Sequence, residues 1–152
     1  MKVLIVDDEA QIRRVLRKWV EAEGHEVLEA GSAEDALSLV GDDLSPAIVL
    51  CDIRMPGQGG LWLAGELRRT RPATAIVMLT ALQDFDVAVT SLQTGAVDYV
   101  SKPCARERLL EALQRAVDAH EERKGAVEMQ EALEIRRALL AEALAVAPLR
   151  SK

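Results

Sequence analysis

The feature that most constrains this chain is the unbroken apolar run Ala47-Ile48-Val49-Leu50-Cys51, which ends on a carboxylate, Asp52, and passes into Ile53-Arg54-Met55-Pro56-Gly57. So short and apolar a run reads as a strand buried on both faces, with the aspartate at its mouth. Two further strand-like runs end on charged groups. Val3-Leu4-Ile5-Val6 runs into Asp7-Asp8, and Val97-Asp98-Tyr99-Val100-Ser101 runs into Lys102-Pro103. In an open parallel sheet functional groups collect beyond the carboxyl ends of the strands, so three acids and one lysine are expected to converge on one crevice.

Such runs alternate with segments of helical period. Strands are predicted near 2–7, 26–30, 47–52, 74–80 and 97–101, and helices near 10–23, 33–40, 60–70, 85–94 and from 105 onward. The pattern is (βα)5, an α/β chain with a parallel five-stranded sheet. Its first, third and fourth strands are apolar enough to be central, under helices on both faces. Gly24, Gly31, Gly41, Gly57, Gly59, Gly60 and Gly95 fall in or beside the connections, as turn residues should.

The helix at 10–23 gathers Ile12, Val15, Leu16, Trp19 and Val20 on one stripe, with Trp19 expected in the core. Arg13, Arg14, Arg17 and Lys18 form the other stripe, read as a solvated face. Beyond Pro103 the helical pattern continues to about Ala147, and Gly125 is expected to break it into two helices.

Size and charge narrow the class. A chain of 152 residues buries a real core without staples and reads as one domain plus an appendage. Two cysteines, Cys51 and Cys104, are too few for a disulfide framework, and no charged leader with an apolar stretch opens the chain, which favours a reducing cytoplasm. No apolar run approaches a membrane span. Residues 1–103 carry 16 acids and 10 bases and the remainder nine of each, so the formal net charge of -6 gives no electrostatic reason to expect direct nucleic-acid binding.

Adjacent acids at one strand end with a third acid on a neighbouring strand supply hard oxygen ligands for Mg²⁺; Asp7, Asp8 and Asp52 are that set. A cation so held clamps phosphoryl oxygens, and Lys102 adds positive charge beside them. Each acid alone would be read as favouring a helix N-terminus, but three with a lysine at sheet ends argue for chemistry. Thr80, followed by the small Ala81, adds a hydroxyl at the same rim. Alone, Thr80 would be read as a helix cap and Tyr99 as a half-buried edge aromatic.

With these residues assembled, the chain resembles the receiver domains of bacterial two-component response regulators. The resemblance covers roughly residues 1–120 and rests on Asp7-Asp8, Asp52-Ile53-Arg54-Met55-Pro56-Gly57 with Gly60, Thr80-Ala81, Tyr99 and Lys102-Pro103. It implies a doubly wound, flavodoxin-like receiver at 1–120 and a helical extension or linker at 121–152. It further implies that Asp52 is the phosphoacceptor, charged by a sensor histidine kinase or phosphotransfer protein. Asp8, Asp52 and the Arg54 backbone carbonyl would bind Mg²⁺ directly and Asp7 through water. Lys102 would contact the phosphoryl group, and the Lys102-Pro103 bond would be cis. Thr80 and Tyr99 would form the switch. Arg54 and Leu82 would flank the path of hydrolytic water, and the bulky Leu82 would slow dephosphorylation.

Competing classes fit less well. A phosphohydrolase of the haloacid-dehalogenase type wants a second aspartate two residues after its nucleophile, where this chain has Arg54. A flavin carrier wants a Ser/Thr/Gly-rich phosphate loop after the first strand, where Asp7-Asp8-Glu9 would repel a bare phosphate. A dimerisation module has no use for the whole acid, hydroxyl and lysine set. Cys51 and Cys104 read as buried, inert thiols, and His25 as an exposed turn residue. His120-Glu121-Glu122-Arg123 faintly resembles a kinase phosphorylation helix without its proline-containing box.

In the tail, Leu109, Leu113, Ala116 and Val117 should pack on the sheet, while residues past Asp118 have no receiver surface left to cover. Ala132, Ile135, Leu139 and Val146 form one seam and Leu133, Leu140, Leu144 and Ala147 another, which predicts a homodimer through the C-terminal helices. No output motif follows, so the chain reads either as a single-domain regulator or as the receiver part of a longer one.

Overall fold

The computed structural model describes residues 1–41, 45–81 and 95–150. Five strands, β1 (Lys2–Val6), β2 (Glu26–Ala30), β3 (Ile48–Asp52), β4 (Ala75–Ala81) and β5 (Asp98–Lys102), form one parallel sheet in the order β2-β1-β3-β4-β5. Helices α1 (Ala10–Ala22), α2 (Ala33–Leu39) and α3 (Gly60–Thr70) follow the first three strands, and α4 (Arg106–Arg150) follows β5. The expected helix at 85–94 and the expected shield Leu82 lie outside the described residues.

Alternation along the buried strands divides the core into two layers. Val3, Ile5, Ile48, Leu50, Val77 and Leu79 face Leu16 and Val20 of α1 and Leu109, Ala112, Leu113 and Ala116 of α4. Leu4, Val6, Val49, Cys51, Ile76 and Met78 face α2 and α3 through Ala33, Ala36, Leu63, Ala64 and Leu67. Each fully buried large aliphatic side chain contributes roughly 1.5–3 kcal/mol, so this two-sided burial is what holds the strand ends in register. α2 starts on Ser32, whose hydroxyl accepts the Asp35 N–H at 3.0 Å.

Several details differ from the sequence pattern. α1 buries only Leu16 and Val20 fully; Trp19 is half-buried against the core and Val15 is 44% exposed. Both line a cleft of about 310 Å³ with Ile12, Pro103 and Cys104. Gly125 does not break the C-terminal segment: α4 runs through it for 45 residues, roughly 68 Å. One glycine costs a helix only about 1 kcal/mol, and strong helix formers flank this one. Receiver contacts also extend past Asp118. His120 Nδ1 lies 2.7 Å from the Ala73 carbonyl, and Arg123 donates to the carbonyls of Thr74 and Gly95. Among the described residues no helix is long and apolar enough to cross a membrane.

Candidate functional site

The strand order reverses between β1 and β3, and the carboxyl ends of these two strands hold the acids. β1 runs directly into Asp7, whose N–H donates to the Ala30 carbonyl at 3.2 Å and so keeps the pairing with β2 going one residue past the strand. Asp52 ends β3 and pairs in register with Leu79 of β4, while Ala81 pairs with Lys102 of β5. Three strand ends therefore bring their polar residues to one rim. One carboxylate oxygen from each of Asp7, Asp8 and Asp52 lies within 4.8 Å of the others.

Burial separates the three acids. Asp7 is fully buried and Asp52 nearly so, whereas Asp8 is exposed. Lys102 reaches back over β4, its Nζ 2.6 Å from Asp7 Oδ2 and 3.1 Å from Asp52 Oδ2. Burial raises the Asp52 pKa above its ordinary value, and the Lys102 contact offsets only part of that rise. Burial works against the Lys102 charge too, but hydrogen bonds to Asp7 and Asp52 outweigh it and raise the ammonium's pKa. The Arg54 N–H donates to Asp52 Oδ1 at 3.3 Å, so the loop after β3 folds over the carboxylate it follows.

That loop is shaped by glycine at two points. Gly57 has φ +80, a conformation that side chains rarely adopt. At Gly60 an added Cβ would stand 2.3 Å from the Asp52 carbonyl oxygen, so only glycine lets α3 start this close to β3. Glu34 of α2 accepts the Gln58 N–H at 2.9 Å, tying the far side of the loop.

At the β4 and β5 ends, Thr80 is buried and its hydroxyl donates to the Ala81 carbonyl at 3.1 Å. Tyr99 is half-buried against the α2/α3 layer, with its hydroxyl buried and no partner among the described residues. Its carbonyl accepts from Arg108, which also forks onto Asp98 with both distances 2.9 Å. The Lys102-Pro103 peptide is cis. Cys51 is buried with its thiol pKa pushed far up by desolvation, and Cys104 is half-buried and also raised by burial. Neither is a ready nucleophile.

The structure thus brings together Asp7, Asp8, Asp52, Arg54, Thr80, Ala81 and Lys102. Sequence reasoning missed Arg13. Its helical position puts it on the basic, solvated stripe, yet its side chain is 21% exposed and turned onto Asp7 and Glu29. Arg14, Arg17 and Lys18 are exposed as expected. Helical period alone gave no sign of the difference, since the partner Glu29 sits on another element. His25, expected to be exposed, is partly covered, with its Nδ1 3.4 Å from the N-terminal amine.

Three acids with hard oxygens this close together, one of them open to solvent, fit a small divalent cation. Residues 3–114 match the family described as the response regulator receiver domain. The chain belongs to that family, the receivers of two-component response regulators. It is 44% identical over 119 residues to the positive alginate biosynthesis regulatory protein of Pseudomonas aeruginosa, covering 76% of this chain and 47% of that protein. It is 36% identical over 132 residues to the regulatory protein AtoC of Escherichia coli, covering 87% of this chain and 28% of that one. The chain therefore spans less than half the length of these curated relatives. Among solved structures, a receiver domain protein from Clostridium thermocellum superposes with a TM-score of 0.74 at 30% identity, over 79% of this chain and 96% of that one.

Proposed function

We propose that this chain is a phosphorylation-activated switch, in which Asp52 accepts a phosphoryl group from a sensor histidine kinase or phosphotransfer protein in a Mg²⁺-dependent reaction. The observation that carries this reading is the meeting of Asp7, Asp8 and Asp52 within 4.8 Å, with Lys102 bonded to two of them. An Asp52 carboxylate oxygen attacks phosphorus, the P–N bond to the donor histidine breaks, and an acyl phosphate forms. Asp8, Asp52 and the Arg54 carbonyl would hold the cation, with Asp7 acting through water. When bound, Mg²⁺ neutralises phosphoryl oxygens. Lys102 would move from its carboxylate partners to the new phosphoryl group. Thr80, whose hydroxyl donates to the Ala81 carbonyl, would turn to the same group, and Tyr99 would report the change to the β4/β5 side. Ala81, being small, leaves the phosphoryl oxygens room.

On this reading the domain is regulatory, with no chemistry beyond gain and loss of phosphate at its own Asp52, and works in the cytoplasm without touching nucleic acid. We assign residues 1–120 to the receiver and 121–152 to a helical extension that pairs two copies. A second reading makes this chain the receiver part of a longer regulator with its output domain beyond it. The greater length of the curated relatives favours that alternative.

The test is phosphorylation by acetyl phosphate with MgCl₂, followed by intact-mass measurement. Wild type should gain one phosphoryl group and Asp52→Asn none. Full labelling of Asp52→Asn would remove Asp52 from the role.

A further inference from the structure

Every polar atom of Asp7 is held. Its N–H donates to the Ala30 carbonyl, its Oδ1 accepts the Glu9 N–H at 2.9 Å, and its Oδ2 accepts from Lys102 at 2.6 Å. Its carbonyl accepts from Arg13 Nη1 at 2.6 Å. That carbonyl lies in the rigid plane of the Asp7–Asp8 peptide, so whatever fixes it also fixes the backbone from which Asp8 projects. Asp8 is exposed, and its direction is set by that backbone more than by packing.

Arg13 is in turn fixed from behind. Its Nε donates to Glu29 Oε1 at 3.2 Å, and the other Glu29 oxygen accepts from Arg17 Nη1 at 2.6 Å. Arg17 also bonds Glu21. The side chains of Arg13 and Glu29 are only 21% and 25% exposed, so the pair is far less solvated than the outer Arg17 at 44%. A planar guanidinium spans the Glu29 carboxylate and the Asp7 carbonyl together, a geometry that a lysine ammonium does not reproduce.

We infer that Arg13 is a positioning residue for the acid pair: braced by Glu29, it grips the Asp7 carbonyl and so aims Asp8 at the cation that Asp52 shares. This rests on the phosphoacceptor reading above and deepens it. The sign of the effect separates the clamp from simple charge. Arg13 is a cation beside an acidic site, so Coulomb repulsion alone makes its removal tighten Mg²⁺ binding. Loss of the clamp makes the same removal weaken it, by about tenfold if Arg13 behaves as outer-sphere partners of metal ligands usually do.

The experiment is titration of the full chain with MgCl₂, followed by backbone amide NMR shifts, which report fold and affinity together. Arg13→Ala is expected to weaken binding about tenfold. Arg14→Ala, which removes an equal charge from the exposed face, should leave binding unchanged or slightly tighter. Arg13→Lys, which keeps the charge without the fork, should recover only part of the loss. Should Arg13→Ala fail to fold, Arg13→Lys and Arg13→Gln serve instead, each expected to weaken binding several-fold. Equal or tighter binding by Arg13→Ala, or by both substitutes, overturns the clamp. If wild type binds no Mg²⁺, the phosphoacceptor reading falls first and the clamp with it. Wild-type binding with an unaltered Arg13→Ala condemns the clamp alone.

Discussion

Lys102 Nζ stands 2.6 Å from Asp7 Oδ2, a bond between residues 95 positions apart that joins the carboxyl ends of β1 and β5, the first and last strands in chain order. Asp7 is fully buried, so without this ammonium its carboxylate would be a charge in the interior with no cation bonded to it. Lys102→Ala should therefore destabilise the metal-free protein by about 3 kcal/mol, the low end for breaking a buried pair, because the lysine side is partly solvated. Urea unfolding in the presence of chelator measures this. A change below about 1 kcal/mol, the level of a surface ion pair, would mean that the pairing carries little.

Stability should respond to pH through two aspartates of opposite sign. Asp98 has its carboxyl held below the ordinary 3.8 chiefly by hydrogen bonds from Arg108. Its contribution is present above the unfolded value and is lost as pH falls through the lower folded one. Asp52 is raised by burial, so its ionisation costs stability once pH climbs above the ordinary carboxylate range. Thermal melts from acid to neutral pH should show Asp98→Asn with a shallower acid limb than wild type. Asp52→Asn should be more stable than wild type at neutral pH. Curves that stay parallel to wild type for both variants would contradict these assignments.

Two glycines of α3 should respond in opposite directions to the same methyl group. At Gly60 a Cβ would meet the Asp52 carbonyl oxygen at 2.3 Å and Cys51 Sγ at 3.0 Å, and the backbone contact cannot give way cheaply. At Gly65 it would meet nothing within 4 Å. Gly65→Ala should thus stabilise by about 1 kcal/mol through helix propensity. Gly60→Ala should destabilise by roughly 2 kcal/mol or more and disturb Asp52 itself. Chemical denaturation of both variants settles the comparison; a neutral Gly60→Ala would show that α3 can back away from β3.

The contrast between these glycines marks what a sequence can and cannot disclose. The central strands and the rim acids were legible because burial on both faces writes itself as an unbroken apolar run, and because Asp7-Asp8 and Asp52 follow or end such runs, while Lys102 ends a more mixed strand, Asp98-Tyr99-Val100-Ser101-Lys102. Residues whose role depends on a partner from another element were not. Arg13 looks like any basic residue on a solvated stripe until Glu29 and the Asp7 carbonyl are seen beside it. His120 and Arg123 were missed for the same reason, since their partners are backbone carbonyls at the entrances to β4 and β5. Val15 erred the other way: its spacing fits the buried stripe of α1, yet it lines an open cleft.

Past Arg123, α4 leaves the receiver and carries large apolar side chains into solvent: Met129, Leu133, Ile135, Leu139, Leu140, Leu144 and Val146 are all exposed, Leu144 at 71%. At 100° per residue these side chains cover about half the circumference, wider than a two-stranded seam needs. Soluble proteins rarely leave a contiguous apolar face of this many large side chains uncovered. The proposed occupant is the same helix of a second copy, which brings an equal apolar face. Wild type should sediment as a dimer at tens of micromolar, on the order of ordinary interface affinities. Leu139→Glu combined with Leu140→Glu should return it to a monomer without lowering the receiver's melting temperature, since neither side chain touches the receiver core. A wild-type chain that sediments as a monomer at that concentration would end the dimer proposal and leave the apolar face to another partner.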